Sequence, residues 1–166
     1  MKHVLSVKVN NTAGVLSHVT GLFTRRSYNI DSLCVGETND PKYSVITLVI
    51  NETPEMIQQI TKQLLKLIDV KEIKDLTADV SIKRELLLVT VEIKKTEKAD
   101  LIALSRLFEA TIVEMATSTQ AGKSVGSTVL IQLVAEPRRV ANFIQAMADF
   151  KIVNMARTGV VALALP

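Results

Sequence analysis

The segment Asn10-Asn11-Thr12-Ala13-Gly14-Val15-Leu16 carries residue types suited to holding a small anion. Asn and Thr side chains cap helices by accepting hydrogen bonds from first-turn N–H groups, and a glycine lets a ligand come close to the backbone. A carboxylate placed there gains roughly 0.3–1 kcal/mol from the helix dipole, besides its hydrogen bonds. Capping by Asn11 and Thr12 with tight packing at Gly14 would explain the same residues, so the turn alone leaves both readings open.

Other chemistry is poorly supplied. Gly122-Lys123-Ser124 resembles the end of a phosphate-binding loop, but the glycine needed five residues earlier is Thr117, so a hairpin loop is expected. No serine, cysteine or lysine stands in a nucleophile signature, and His3 and His18 lack an acid partner at motif spacing. The sequence predicts no catalytic residue and no metal ligand set. The single cysteine, Cys34, excludes an internal disulfide and reads as a small buried hydrophobe. Arg25-Arg26 suit the negative end of a helix, and Arg138-Arg139 read as solvated or partner-facing charges on an amphipathic helix.

The elements that position the turn recur. Residues 4–9 read as a strand, Val15–Arg26 as a helix through Val15, Leu16, Val19, Leu22 and Phe23, then 29–36 and 43–50 as strands. A helix over Glu55–Leu67, with Pro54 at its first turn, and a strand at 70–75 complete a βαββαβ unit. Strand 85–93, helix 99–109, strands 111–117 and 127–134, helix 137–149 and strand 151–157 repeat it, roughly 81 to 84 residues on. The pattern predicts an α+β protein of two tandem ferredoxin-like modules. The domains are expected at 1–76 and 82–166, with a linker at 77–81.

Most strands are apolar at neighbouring positions, as in Leu86-Leu87-Leu88-Val89 and Val129-Leu130-Ile131. Helices in such a module cover one sheet face, so the other needs a partner, and self-association is the simplest supply. The 166 residues are 48% hydrophobic and carry a formal charge of +3. The twenty basic residues are interspersed with seventeen acidic ones, which argues against a nucleic-acid partner. Without an apolar run of 18 residues or a secretory leader pattern, a cytoplasmic protein with no membrane contact is expected.

Several motifs together carry a resemblance. Val4-Leu5-Ser6-Val7, Asn11-x-x-Gly14-Val15-Leu16, Gly21-Leu22-Phe23 and Arg26-x-Tyr28-Asn29-Ile30-x-Ser32-Leu33 resemble the ACT domain of acetolactate synthase small subunits. Gln63-Leu64, Lys66-Leu67-Ile68-Asp69-Val70, Arg84-Glu85-Leu86 and Ala156-Arg157-Thr158-Gly159 extend the likeness over almost the whole chain. The family usually has glycine where this chain has Ser27.

The resemblance implies a regulatory subunit with no catalytic site or cofactor of its own. It would activate a large catalytic subunit carrying thiamine diphosphate, Mg and FAD, which joins two pyruvates, or pyruvate and 2-oxobutyrate. It would also confer feedback inhibition by a branched-chain amino acid, usually valine, in valine, leucine and isoleucine biosynthesis. In this family the effector lies between two ACT domains of a homodimer. Asn11, Gly14, Val15 and Leu16 would line it from one chain, Asn29 and Ile30 from the other. A free-standing ACT-domain transcription regulator is the alternative, although no helix-turn-helix unit is left over once both modules are assigned.

Overall fold

A computed structural model gives the fold of residues 1–78, 81–120 and 123–166, with side chains at 118–120 and 123–125 left undescribed. Residues 79–80 of the expected linker and Gly122 of the expected hairpin loop lie outside the described residues. The chain divides into two compact units, Met1–Lys83 with Gly159–Pro166, and Arg84–Thr158. The expectation from sequence was 1–76 and 82–166.

In the first unit the order is β1 (Lys2–Asn10), α1 (Val15–Arg25), β2 (Ile30–Glu37), β3 (Tyr43–Asn51), α2 (Pro54–Leu64) and β4 (Val70–Asp75). The strands form an antiparallel sheet ordered β2-β3-β1-β4, which leaves β2 and β4 at its edges. Alternation along β1 and β3 sends Leu5, Val7, Val9, Ile46, Leu48 and Ile50 to one face. There they meet Val15, Val19, Leu22 and Phe23 of α1 and Ile57, Ile60 and Leu64 of α2 in one buried cluster.

α2 ends at Leu64, short of the expected Leu67. Lys66 and Leu67 donate to Gln63 and Leu64, the i→i+3 bonds of a tightened last turn. Leu67 still packs on the core, so the apolar spacing outruns the helix. Pro54 occupies the first turn, as expected, and the Thr53 hydroxyl accepts from Met56 N at 3.4 Å as its cap.

In the second unit β5 (Ser81–Lys94) begins within the first unit and runs into this one. A short 3₁₀ turn at Lys95–Glu97, α3 (Lys98–Phe108), β6 (Thr111–Gln120), β7 (Lys123–Ala135), α4 (Pro137–Ala146) and β8 (Lys151–Arg157) follow. The order β6-β7-β5-β8 repeats the first sheet, again antiparallel. Leu87, Val89 and Val91 face Leu133, Ile131 and Val129 across the ladder, Ile93 continues the same buried face, and Leu101, Val140 and Phe143 cover them. Two ferredoxin-like βαββαβ modules are therefore present, as the periodicity predicts.

Two features were not expected. Arg139 is exposed, as expected, but is also engaged: it donates to the Phe108 and Leu107 carbonyls at 3.3 and 3.1 Å and lies over the Phe108 ring, closing the C-terminus of α3. A ninth strand, β9 (Val161–Ala164), pairs with β5. Val160 and Ala162 join Val4, Val49 and Leu76 in a small cluster on the first sheet's other face. The chain thus supplies part of the cover that its two-faced strands require.

Candidate functional site

The turn between β1 and α1 is built around Gly14, which takes the helix N-cap position at φ 89°. That left-handed conformation is open to glycine at little steric cost. Nothing lies within 4 Å of where a Cβ would stand, so the residue is set by backbone angle and not by crowding. No side chain caps the helix, contrary to the expectation for Asn11 and Thr12. Asn11 lies three residues before the cap and reaches sideways: its N–H donates to the Lys42 carbonyl at 2.8 Å and its Nδ2 to the Pro41 carbonyl at 3.0 Å. Thr12 contributes its carbonyl, which Val15 N meets at 3.4 Å. With Val15 N bonded to Thr12 and His18 N to the Gly14 carbonyl, the Leu16 and Ser17 N–H groups of the first turn are left to solvent or a ligand.

Around this turn Asn11, Thr12 and Gly14 are exposed, Leu16 is 40% exposed and Val15 is buried in the core. Asn10, Asn11 and Thr12 line a shallow depression with Pro41, Lys42 and Tyr43 of the β2–β3 hairpin. The turn therefore presents an uncapped helix terminus, an amide and one exposed aliphatic side chain.

Asn29 and Ile30 lie past the other end of α1, which spans 11 residues and hence roughly 16 Å. One chain does not bring them to Asn11, Gly14 and Leu16. Asn29 is exposed and its Nδ2 donates to Asp31 Oδ1 at 3.1 Å. In Asn11 and Asn29 alike the amide nitrogen is engaged within the chain, which leaves Oδ1 as the acceptor. Ile30 is half-buried against the core at the start of edge strand β2, beside a register shift between Ile30 and Ser32. The connection before it runs through Ser27 at φ 56°, a left-handed angle that a residue with a side chain holds at a steric cost.

Sequence reasoning missed the groups that hold the turn. Asp69, at the end of the α2–β4 connection, accepts from Asn10 Nδ2 through Oδ1 and meets His18 Nδ1 through Oδ2, both at 3.2 Å. These bonds, His18's first and Asn10's second, hold its carboxyl below the usual carboxylate range. Only the motif Lys66–Val70 pointed to this segment, since Asp69 is remote in sequence from both partners. The two histidines are separate: His3 is buried beside Thr77, with Nδ1 3.4 Å from the hydroxyl. Among the described residues no group of histidine, cysteine and acidic side chains could hold a metal ion, and no helix is long and apolar enough to cross a membrane.

The motifs of the second half meet in a structural pairing. Glu85, buried in β5, takes both Arg157 Nε at 2.5 Å and Nη2 at 3.0 Å. Leu86 N donates to the Thr158 hydroxyl beside it at 3.1 Å.

Comparison with known proteins places these features. Residues 5–72 match the family described as AHAS small subunit-like ACT domain, and residues 84–165 match the family described as small subunit of acetolactate synthase. The probable acetolactate synthase small subunit of Archaeoglobus fulgidus is 34% identical, covering 98% of this chain and 96% of its own. The acetolactate synthase small subunit of Bacillus subtilis is 33% identical, over 99% of this chain and 91% of its own. The crystal structure of the acetolactate synthase small subunit from Thermotoga maritima superimposes with a TM-score of 0.84 at 27% identity, over 100% of this chain and 98% of that one. With family matches to both halves and relatives alike over nearly their full length, the chain belongs to the acetolactate synthase small-subunit family.

Proposed function

We propose that this chain is the regulatory subunit of acetolactate synthase, activating a separate catalytic subunit and conferring feedback inhibition by valine or a related branched-chain amino acid. Family membership over nearly the whole length supports the subunit role. The observation that carries the effector assignment is the uncapped first turn of α1 behind Gly14, where a carboxylate finds free N–H donors and the positive end of the helix. Asn11 Oδ1 accepts from the effector's ammonium, and Leu16 offers apolar surface. Asn29 and Ile30 of a second copy complete the pocket, because within one chain they lie beyond the far end of α1. A twofold axis forms two such sites at once. The edge position of β2 supports this pairing, since its backbone can continue the ladder into the second copy.

Burying an isopropyl group there contributes roughly 1.5–3 kcal/mol. Set against the cost of ordering a ligand of eight heavy atoms, this points to dissociation constants of about tens of micromolar to millimolar. The thiamine diphosphate, Mg and FAD of the reaction belong to the catalytic partner, and the setting is cytoplasmic. Calorimetric titration of the purified chain with valine, leucine and isoleucine tests the reading, together with acetolactate formation by the catalytic subunit with and without this chain. Saturable binding of one of the three and a rise in turnover are expected. Absence of any binding would sink the effector site, and unchanged turnover the subunit role.

A further inference from the structure

We propose that Asp69 is the positioning residue of the effector turn, a single carboxylate that brackets the turn from both sides by holding Asn10 before it and His18 after it. The inference rests on the effector reading above and extends it to a residue that touches no effector atom.

The bracket consists of three contacts. Asp69 Oδ1 accepts from Asn10 Nδ2 and Oδ2 pairs with His18 Nδ1, both at 3.2 Å, while the Asp69 carbonyl accepts from Asn10 N at 2.9 Å. His18 in turn donates its own N–H to the Gly14 carbonyl at 3.0 Å. The residues between Asn10 and His18 are those that present the first-turn donors. On their opposite flank Asn11 is bonded to Pro41 and Lys42, so the turn is held between the β2–β3 hairpin and the α2–β4 connection.

The Asp69 side chain is only 16% exposed, whereas His18 is 63% exposed and held by this contact. Asp69 itself contributes nothing to the apolar cluster that joins α1 to the sheet through Val9, Val15, Val19 and Val70. Removing the carboxylate therefore loosens the turn while the packing that makes the fold is kept. A turn that must first be ordered binds its ligand more weakly than one held ready.

The test compares Asp69→Ala with Asp69→Asn in the full chain. Asparagine keeps Oδ1 for Asn10 and can donate to His18 in the other imidazole tautomer, so it preserves the geometry without the charge. Three readouts are taken: valine, leucine and isoleucine titration, backbone hydrogen exchange, and activation of the catalytic subunit without effector. Asp69→Ala is expected to lose about tenfold or more in effector affinity and Asp69→Asn to stay within about threefold of the parent. In Asp69→Ala, exchange should quicken within residues 10–18 at the hydrogen-bonded amides of Asn10, Asn11, Val15 and His18, while β1 before Asn10, β3 and activation keep parental behaviour. Parental affinity in Asp69→Ala overturns the proposal, as does an equal loss in Asp69→Asn, or quickened exchange spread through β1 and β3. A parent chain that binds none of the three amino acids overturns the effector reading instead. The exchange comparison then still judges the bracket: quickening confined to 10–18 upholds it, and parental exchange removes it.

Discussion

Asn11 and Ser27 show how much one side chain's direction changes the expected effect of replacing it. Asn11 is not a helix cap but donates to the exposed Pro41 carbonyl, so Asn11→Ala removes one neutral hydrogen bond, worth about 0.5–1.5 kcal/mol. The folded chain should persist and valine should bind more weakly, as calorimetry would measure. Asn29→His replaces the amide on the other wall, with the same consequence expected for feedback. Valine inhibition retained at full strength in both variants would contradict the site. Ser27 carries φ 56° outside any glycine. Ser27→Gly relieves that angle and should stabilise the chain by about 1 kcal/mol. Its melting temperature should rise by roughly 2–4 °C; an unchanged or lower value would mean that the serine side chain compensates.

At the scale of elements, the C-terminal tail and the α1 turn rest on glycines of opposite kinds. Gly14 is free of neighbours and needs only its angle. Gly159 needs both its angle, φ 80°, and its lack of a side chain, since a Cβ would collide with Ser32 Oγ. The same Ser32 hydroxyl accepts from Val160 N at 3.0 Å and so starts the tail on its course to Val4, Val49 and Leu76. Gly159→Ala should lower stability by about 1–3 kcal/mol through strain at a left-handed angle. Thermal unfolding would measure it, and a parental melting temperature would show that the tail shifts without cost. Asp69 adds a pH dependence of known sign. Its carboxyl is held below its ordinary range, so the contribution of its bonds is complete above the unfolded value near 3.8 and is lost as pH falls through the lower folded value. Protection over residues 10–18, taken as exchange relative to the intrinsic amide rate at each pH, should hold above that range and fall only in acid below it.

For the whole molecule, the proposed effector site, split between the two ends of α1, predicts a second copy. Light scattering at micromolar concentration should return a dimer of the 18.2 kDa chain. A compact monomer at every concentration would remove the shared pocket. Inhibition and activation should also be separable, because an effector shifts an equilibrium only through its different affinity for two states. Asn11→Ala and Asn29→His should still activate the catalytic subunit without valine while losing inhibition in its presence. Loss of activation together with inhibition would contradict separability.

The repeat of two βαββαβ modules was legible in the sequence because apolar spacing and the helix-opening Pro54 and Pro137 are local signals. Their registers follow from which residues must face the helices: Leu5, Val7 and Val9 opposite Leu48, Ile46 and Ser44. The turn at Gly14 was legible as a strand-to-helix connection, but its glycine was read for close approach or tight packing, whereas the folded chain uses it for a left-handed angle. What the tertiary structure decided is where side chains without a periodic constraint go. Asn11 turned to the β2–β3 hairpin instead of capping α1, Arg139 closed α3, and Asp69 met residues 51 and 59 positions away. The return of Gly159–Pro166 to the first unit belongs to the same class. Such partners are chosen by proximity after the chain has packed, and composition and spacing carry no record of that proximity.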